Sequence, residues 1–322
     1  MNKLSLNSLS IVVSVYNEEE GISLFWKELN NTIIKLNIEV EVIFINDGST
    51  DNSKVLLSKI INNNSPVEFI LIDFSKNYGH ESAMIAGIDV ATKDSIVCLD
   101  ADLQHPPEKI IEMVNSFNNG YEIVTMIREK REDNGLIKNL VSKLFYRFLN
   151  TVSEHNFDNS ASDFFMISKR ITQILKENFR EKNRFLRGYI QAIGFSKTSL
   201  YFDAPARLSG KSSYSFLSLV RLSFNAIFSF SNKPLQISLF ISVLFALFTT
   251  SFMGYSLWVY LFGNTPPSGY TTLIIFQSMC FTVLFLLIGI LSIYFGKSLD
   301  EMRNRPIYLV KELTKTNTKK EH

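Results

Sequence analysis

Residues 95–104 read Ser-Ile-Val-Cys-Leu-Asp-Ala-Asp-Leu-Gln, an apolar strand running straight into Asp100, Asp102 and Gln104. Strand alternation carried through the end points these three side chains to one side. Three hard oxygen donors held that closely suit Mg2+ or Mn2+, the ions that bridge and neutralise diphosphates. The chemistry suggested is departure of a nucleotide diphosphate from the group it carries. The ordinary alternative for two aspartates at a strand end is a turn or a helix cap.

The elements around this cluster decide between the two. Leu9–Val15, Val40–Ile45, Val67–Phe74, Ser95–Leu99 and Glu122–Met126 are Val- and Ile-rich runs that read as strands. Helical stretches alternate with them: Glu18–Leu36, one starting near Asp51, His80–Ala91, and one after Pro106-Pro107. Such alternation predicts an α/β fold with a mainly parallel sheet covered on both faces. Ligands bind such sheets beyond the carboxyl ends of the strands. The segments leaving the strands are Tyr16-Asn17-Glu18, Asn46-Asp47-Gly48-Ser49-Thr50-Asp51, Ser75-Lys76-Asn77-Tyr78-Gly79 and Asp100-Ala101-Asp102. Four polar exits on one sheet edge predict a nucleotide crevice. The chain has neither GxGxxG nor a P-loop lysine motif, so dinucleotide binding and ATP hydrolysis lose ground. Farther on, Leu136–Leu149 reads as an amphipathic helix, Ser162–Ile167 as a strand, Arg184–Ile193 as a helix and Thr198–Phe202 as a strand.

The chain has 322 residues, with 33 Lys and Arg against 31 Asp and Glu. That near balance gives no indication of a nucleic-acid partner. Charge is unevenly spread, however. Residues 235–262 and 270–296 carry none, and each run exceeds the roughly 20 apolar residues a bilayer-spanning helix needs. Lys233 precedes the first run, and Lys297, Arg303 and Arg305 follow the second. The positive-inside rule then puts both flanks in the cytoplasm and the Pro266-Pro267 loop outside. Residues 1–214 are expected to form a cytoplasmic catalytic domain and 215–232 an amphipathic juxtamembrane segment. Residues 233–298 hold the two spans, and 299–322 form a polar cytoplasmic tail that frays from Asp300 onward. No signal peptide is read at the amino terminus. The two cysteines, Cys98 and Cys280, have no plausible disulfide partner, in keeping with a reducing compartment.

Taken together, these residues resemble the family-2 glycosyltransferases of the GT-A fold. More narrowly, the chain resembles the bacterial polyisoprenyl-phosphate (bactoprenol) glycosyltransferases, relatives of dolichol-phosphate-mannose synthase. The motifs are Ile11-Val12-Val13-Ser14-Val15-Tyr16-Asn17-Glu18-Glu19, Asn46-Asp47-Gly48-Ser49-Thr50-Asp51, Asn77-Tyr78-Gly79-His80, Asp100-Ala101-Asp102-Leu103-Gln104, Arg207-Leu208-Ser209-Gly210 and Phe230-Ser231-Asn232-Lys233-Pro234. The resemblance implies nucleotide-sugar contacts from Val15, Tyr16, Asn17, Glu18, Asp47, Asn77 and Asp100, with Asp47 near the base. It implies a metal and diphosphate site at Asp100, Asp102 and Gln104, and an acidic active-site position at Asp163 beside the sugar. Arg128, Arg131, Arg207, Lys211 and Tyr214 become candidates for the phosphates of donor or acceptor. Three departures stand out. Ser14 takes the place of a frequent Pro, and is expected to alter loop stiffness more than chemistry. Asn46 takes the place of a frequent Asp. Lys211 is displaced by two positions from the family's lysine.

The implied reaction is inverting transfer of a hexose, glucose from UDP-glucose by family frequency, to a polyprenyl phosphate lipid at the inner face of the bacterial cytoplasmic membrane. Mg2+ or Mn2+ would be the cofactor, with Asp102 and Asp163 as catalytic residues. UDP-N-acetylglucosamine and GDP-mannose are alternative donors, because no residue here reads the sugar hydroxyls. From another class, a non-catalytic sugar-lipid binding or assembly subunit is the competing reading. Two uncharged, unbroken spans make poor transport machinery, and the intact acidic cluster speaks against a dead enzyme. A homo-oligomer is left open.

Overall fold

The computed structural model describes residues 5–63, 67–128, 161–181, 186–203, 233–262 and 269–316. The expected helix at 136–149, the juxtamembrane segment at 215–232, and Arg131, Arg207, Lys211 and Tyr214 lie outside them. Among the described residues, one compact unit holds the sheet with its helices and the segment after residue 305. A second unit holds two long helices.

In the first unit the chain runs β1 (Ser8–Val15), α1 (Ile22–Leu36), β2 (Glu39–Asn46), α2 (Ser53–Asn62), β3 (Glu68–Phe74), α3 (His80–Val90), β4 (Ser95–Asp100), α4 (Lys109–Asn118) and β5 (Ile123–Arg128). It continues with β6 (Ala161–Ser168), α5 (Lys169–Asn178), α6 (Leu186–Ala192), β7 (Lys197–Phe202) and, near the carboxyl terminus, β8 (Val310–Lys315). The eight strands make one sheet in the order β7-β5-β6-β4-β1-β2-β3-β8. β1 is parallel to β2 and β4, β2 to β3, and β5 to β7; β6 and β8 are antiparallel to their neighbours.

Alternation along each strand divides the core between the two faces. Leu9, Ile11 and Val13 of β1 pack with Phe25 and Leu29 of α1, Leu57 of α2 and Met113 of α4. Val12 faces the other way, with Met84 of α3, Ile171 of α5 and Ile190 of α6. Both faces are therefore apolar, which is why the strands read as continuous hydrophobic runs. A Cβ on Gly87 would run into Val12 and come within 2.9 Å of Ile45, so α3 packs against the sheet at a distance only glycine permits.

Two elements depart from expectation. α5 was not foreseen, although Ser168 caps it by accepting from the Ile171 amide and Ile171 and Leu175 sit one turn apart on its buried face. Among the described residues, which run to 316, the expected fraying of the tail from Asp300 does not occur. The second long helix runs on to Met302, and β8 then pairs with β3 from Ile70↔Lys315 to Phe74↔Val310, with a bulge at Asp73/Phe74. Polar side chains suit an exposed edge strand, and specific contacts hold this one. Lys54 bridges Asp73 at 2.7 Å and Glu312 at 2.9 Å. Tyr308 stacks on Phe74 with ring centroids 5.1 Å apart and donates to Asp89 at 2.8 Å.

The second unit contains α7 (Lys233–Phe262) and α8 (Tyr270–Met302). Within them, Leu235–Val259 and Thr272–Met302 contain stretches whose mean hydropathy reaches 2.0 and 2.5, and both are long and apolar enough to cross a membrane. At 1.5 Å per residue, about 45 Å of α7 exceeds the roughly 30 Å hydrocarbon layer. Phe252 stacks on Phe276 across the pair at 4.6 Å.

A candidate glycosyl-transfer site at the carboxyl edge of the sheet

Parallel pairing brings the carboxyl ends of β1, β2, β3 and β4 to one edge. Because β6 runs antiparallel to β4, it begins at that edge. The last ladder pair is Cys98↔Phe165, so two residues further the register sets Asp163 opposite Asp100. A contact network joins the two carboxylates. The Ser14 hydroxyl donates to Asp100 Oδ1 at 2.8 Å and lies 2.9 Å from His80 Nδ1. His80 Nδ1 is 3.1 Å from Asp100 Oδ1, and its Nε2 is 3.5 Å from Asp163 Oδ2, an ion-pair separation too long for a good hydrogen bond. Arg187 grips Asp163 as a fork, Nε to Oδ1 at 2.8 Å and Nη2 to Oδ2 at 2.6 Å. Beneath Asp100, its backbone N–H donates to His105 Nδ1 at 3.1 Å, and the buried His105 ring stacks on Phe164.

These neighbours set the local electrostatics. Burial opposes charge on His80, but Asp100, Asp163 and Glu81 outweigh it and push the imidazolium pKa up to about 10. Burial keeps His105 below its ordinary value, consistent with an unprotonated Nδ1 that accepts the Asp100 amide. Burial, reinforced by Asp163, pushes Glu81 up to about 7. For Asp163, burial acts upward, but Arg187 and then His80 hold the carboxyl well below the ordinary range.

The exits of β1, β2 and β3 are stitched into a single rim. Asn17 takes a left-handed φ of 54°, accepts the Thr50 amide at 2.9 Å, and donates its own amide to Ser49 Oγ at 3.0 Å. The Glu18 amide donates to Ser53 Oγ at 2.8 Å. Asp47, only 3 % exposed, accepts the Tyr78 and Gly79 amides at 2.7 and 3.0 Å. Burial raises its carboxyl above the ordinary value despite these two donors. Gly48, at φ 65°, makes that approach feasible, because a Cβ there would collide with the Lys76 and Asn77 backbone. Tyr16 and Asn77 are exposed on the rim, whereas the Val15 side chain is buried in the core and only its backbone faces the loop. Arg128 ends β5 at the same edge, its guanidinium 5.9 Å from the Phe202 ring centre.

The acidic motif itself differs from the sequence reading. β4 stops at Asp100, Leu103 adopts a left-handed φ of 60°, and the Gln104 amide donates to Asp102 Oδ1 at 3.0 Å. Strand alternation therefore does not carry Asp102 and Gln104 to the side of Asp100; a side-chain-capped turn places them instead. Among the described residues, no three His, Cys, Asp or Glu side chains surround a common point. The donors nevertheless suit a hard cation, since Mg2+ is characteristically held by one or two carboxylates plus substrate phosphates and water. Asp100 is 27 % exposed, so it is reachable from solvent.

Sequence reasoning missed Ser14, His80, His105, Glu81 and Arg187 as parts of this site. Ser14 was expected to alter loop stiffness more than chemistry, yet its hydroxyl holds Asp100. His80 stood inside a quoted motif without a role. Nothing local marks Arg187, whose partner is 24 residues away on another element.

The chain is similar to known proteins over nearly its whole length. The model for "Glycosyl transferase family 2" matches residues 10–175. An uncharacterised glycosyltransferase, YkcC of Bacillus subtilis, is 33 % identical over 94 % of this chain and 93 % of its own length. The SfII prophage-derived bactoprenol glucosyl transferase of Shigella flexneri is 30 % identical over 96 % of this chain and 99 % of its own. Among solved structures, glucosyl-3-phosphoglycerate synthase from Mycobacterium tuberculosis, in complex with Mn2+, UDP and phosphoglyceric acid, aligns with a TM-score of 0.47 at 15 % identity, covering 69 % of this chain and 76 % of that one. This chain belongs to glycosyl transferase family 2.

Proposed function

We propose that the protein transfers a hexose, glucose from UDP-glucose in the first instance, to a polyprenyl phosphate at a membrane surface, inverting the anomeric centre. The observation carrying this reading is the meeting of Asp100 and Asp163 at the carboxyl edge, beside the stitched rim of Tyr16, Asn17, Asp47 and Asn77. The near full-length similarity to a bactoprenol glucosyl transferase supports the lipid acceptor. The two long apolar helices supply a way to hold the site where such a lipid presents its headgroup.

In this reading the β1–β2–β3 rim binds the nucleoside. Tyr16 and Asn77 offer side chains, Val15 offers backbone, and Asp47 acts by fixing the loop that carries Asn77 and His80. Asp100, Asp102 and Gln104 would hold Mg2+ or Mn2+, which when bound supplies charge stabilisation for the departing diphosphate. Ser14 and His80 orient Asp100, and His105 fixes its backbone. A phosphate monoester has a second pKa near 6 and is largely ionised at neutral pH, so attack needs no strong base. Arg128, with Arg131, Arg207, Lys211 and Tyr214, would orient the phosphates of donor and acceptor.

The fold also supports a topology. The chain leaves the sheet unit, forms α7 and α8, and returns as β8 to pair with β3. If both helices cross, the catalytic edge and the carboxyl-terminal strand lie on the same side, which the charge pattern assigns to the cytoplasm.

The direct test incubates membranes containing the full chain with polyprenyl phosphate and labelled UDP-glucose, UDP-N-acetylglucosamine and GDP-mannose, with and without EDTA. One donor should label the lipid fraction, and chelation should abolish the label. No label from any donor in Mg2+ or Mn2+ would refute the reaction.

A further inference from the structure

We propose that Arg187 is a positioning residue of the transfer site: it locks Asp163 in place as a permanent ion-pair anchor for His80, so that Asp163 does not serve as the proton acceptor. The inference deepens the glycosyl-transfer reading and rests on it. Both Asp163 oxygens are engaged by the Arg187 fork at 2.8 and 2.6 Å, and Oδ2 also faces His80 Nε2. The Asp163 side chain is only 17 % exposed. Protonating either oxygen would set a carboxylic acid against an N–H donor already in contact and leave a guanidinium without its counter-charge. A base must accept and release a proton every turnover, whereas this carboxylate is arranged to remain an anion.

The pair is also built into the scaffold. The Leu186 amide donates to Glu81 Oε2 at 3.0 Å, joining the start of α6 to the start of α3. The adjacent residues on those helices, Arg187 and His80, then meet on Asp163. A continuous line results, Arg187–Asp163–His80–Asp100, from α6 to the end of β4. Its work is geometric: it fixes His80 against Asp100 and so presents Asp100 in one orientation. The depressed Asp163 carboxyl agrees with this arrangement.

The test uses full-length protein in vesicles with the donor that wild type accepts, and compares Asp163→Asn, Arg187→Ala, Arg187→Lys and the Asp163→Asn/Arg187→Ala double variant. A positioning pair predicts that Asp163→Asn and Arg187→Ala lower kcat by a similar ~10- to 100-fold, and that the double variant is no worse than either. The KM for polyprenyl phosphate should change far less than kcat. The acidic limb of the pH–rate profile should survive in Asp163→Asn. Added guanidinium should partly rescue Arg187→Ala, and Arg187→Lys should stay impaired because an ammonium lacks the fork. Near-normal kcat in Arg187→Ala beside an inactive Asp163→Asn, or loss of the acidic limb only in Asp163→Asn, would overturn the proposal in favour of a base. Thermal unfolding of the same four variants reports the pair without any turnover. Absence of coupling between the two substitutions overturns the proposal even if transfer is observed. Strong coupling in a protein that labels no lipid upholds the pairing while refuting the reaction.

Discussion

At the amino edge of the sheet, the fully buried Glu41 carboxylate accepts from the Ser10 hydroxyl and from the Thr92 amide and hydroxyl. Next to it, Lys93 ties Glu39 and Glu68 together, and Ser8 and Asp94 exchange hydrogen bonds. At the carboxyl edge of the same strands, Asp100 and Asp163 are shared among Ser14, His80 and Arg187, and Asp100 remains partly open to solvent. Both ends bury acids. At the amino end the buried acid, Glu41, takes only neutral hydrogen-bond donors and is closed off, as in a satisfied core network, while Lys93 pairs its glutamates at the surface. The carboxyl end uses interleaved charges and stays reachable, which is what a site for a charged substrate requires. Burial of a carboxylate thus says little by itself; the kind of partner and the access separate scaffold from site.

That contrast can be broken most severely at Asp102. Asp102→Asn should lower kcat by ~10²- to 10³-fold, as removal of a charge-stabilising group does, with the melting temperature nearly unchanged. Glu41→Ala should do the reverse. It orphans Ser10 and the Thr92 amide and should cost about 2–4 kcal/mol of stability, read as a lower melting temperature in detergent, while the rate per folded molecule is kept. Gly87→Ala forces a Cβ toward Val12 and Ile45 and should cost ~1–3 kcal/mol by the same readout. Tyr308→Phe removes one hydrogen bond to Asp89 and should cost about 1 kcal/mol, a measure of how firmly β8 is held.

A last effect, read from its pH dependence, concerns Glu81. Its folded pKa of about 7 lies above the ordinary glutamate value of 4.5, so the folded state binds more protons between those limits. Stability from this group therefore falls as pH rises from 4.5 through 7, and the penalty is complete above that. Glu81→Gln should melt at or above the wild-type temperature at pH 8, and the difference should shrink toward pH 5. A difference that grows on acidification would show the assigned environment to be wrong.

The first four strands and their polar exits were legible because each is a local signal, a Val- and Ile-rich run ending in Asn, Asp or Gly. Asp100 and Asp163 were both named, yet their meeting depends on β6 running antiparallel beside β4, a pairing that no local pattern encodes. β8 was hidden for a similar reason. Val310–Lys315 carries three charged residues, and its partner β3 lies some 240 residues earlier, beyond two long apolar helices. At Asp102 and Gln104 the strand rule was carried past the end of β4 at Asp100, where a left-handed Leu103 and a capped turn take over. Arg187 and His105 carry no signal of their own, since their significance comes from partners on other elements.

Calorimetric titration of UDP into the full-length protein, with and without Mn2+, tests most directly whether the carboxyl edge is the site and the amino edge its scaffold. Wild type and Glu41→Gln should bind UDP in a Mn2+-dependent manner with similar affinity, and Asp102→Asn should lose that dependence. Equal Mn2+-dependent binding by Asp102→Asn, or its loss in a folded Glu41→Gln, would contradict the assignment.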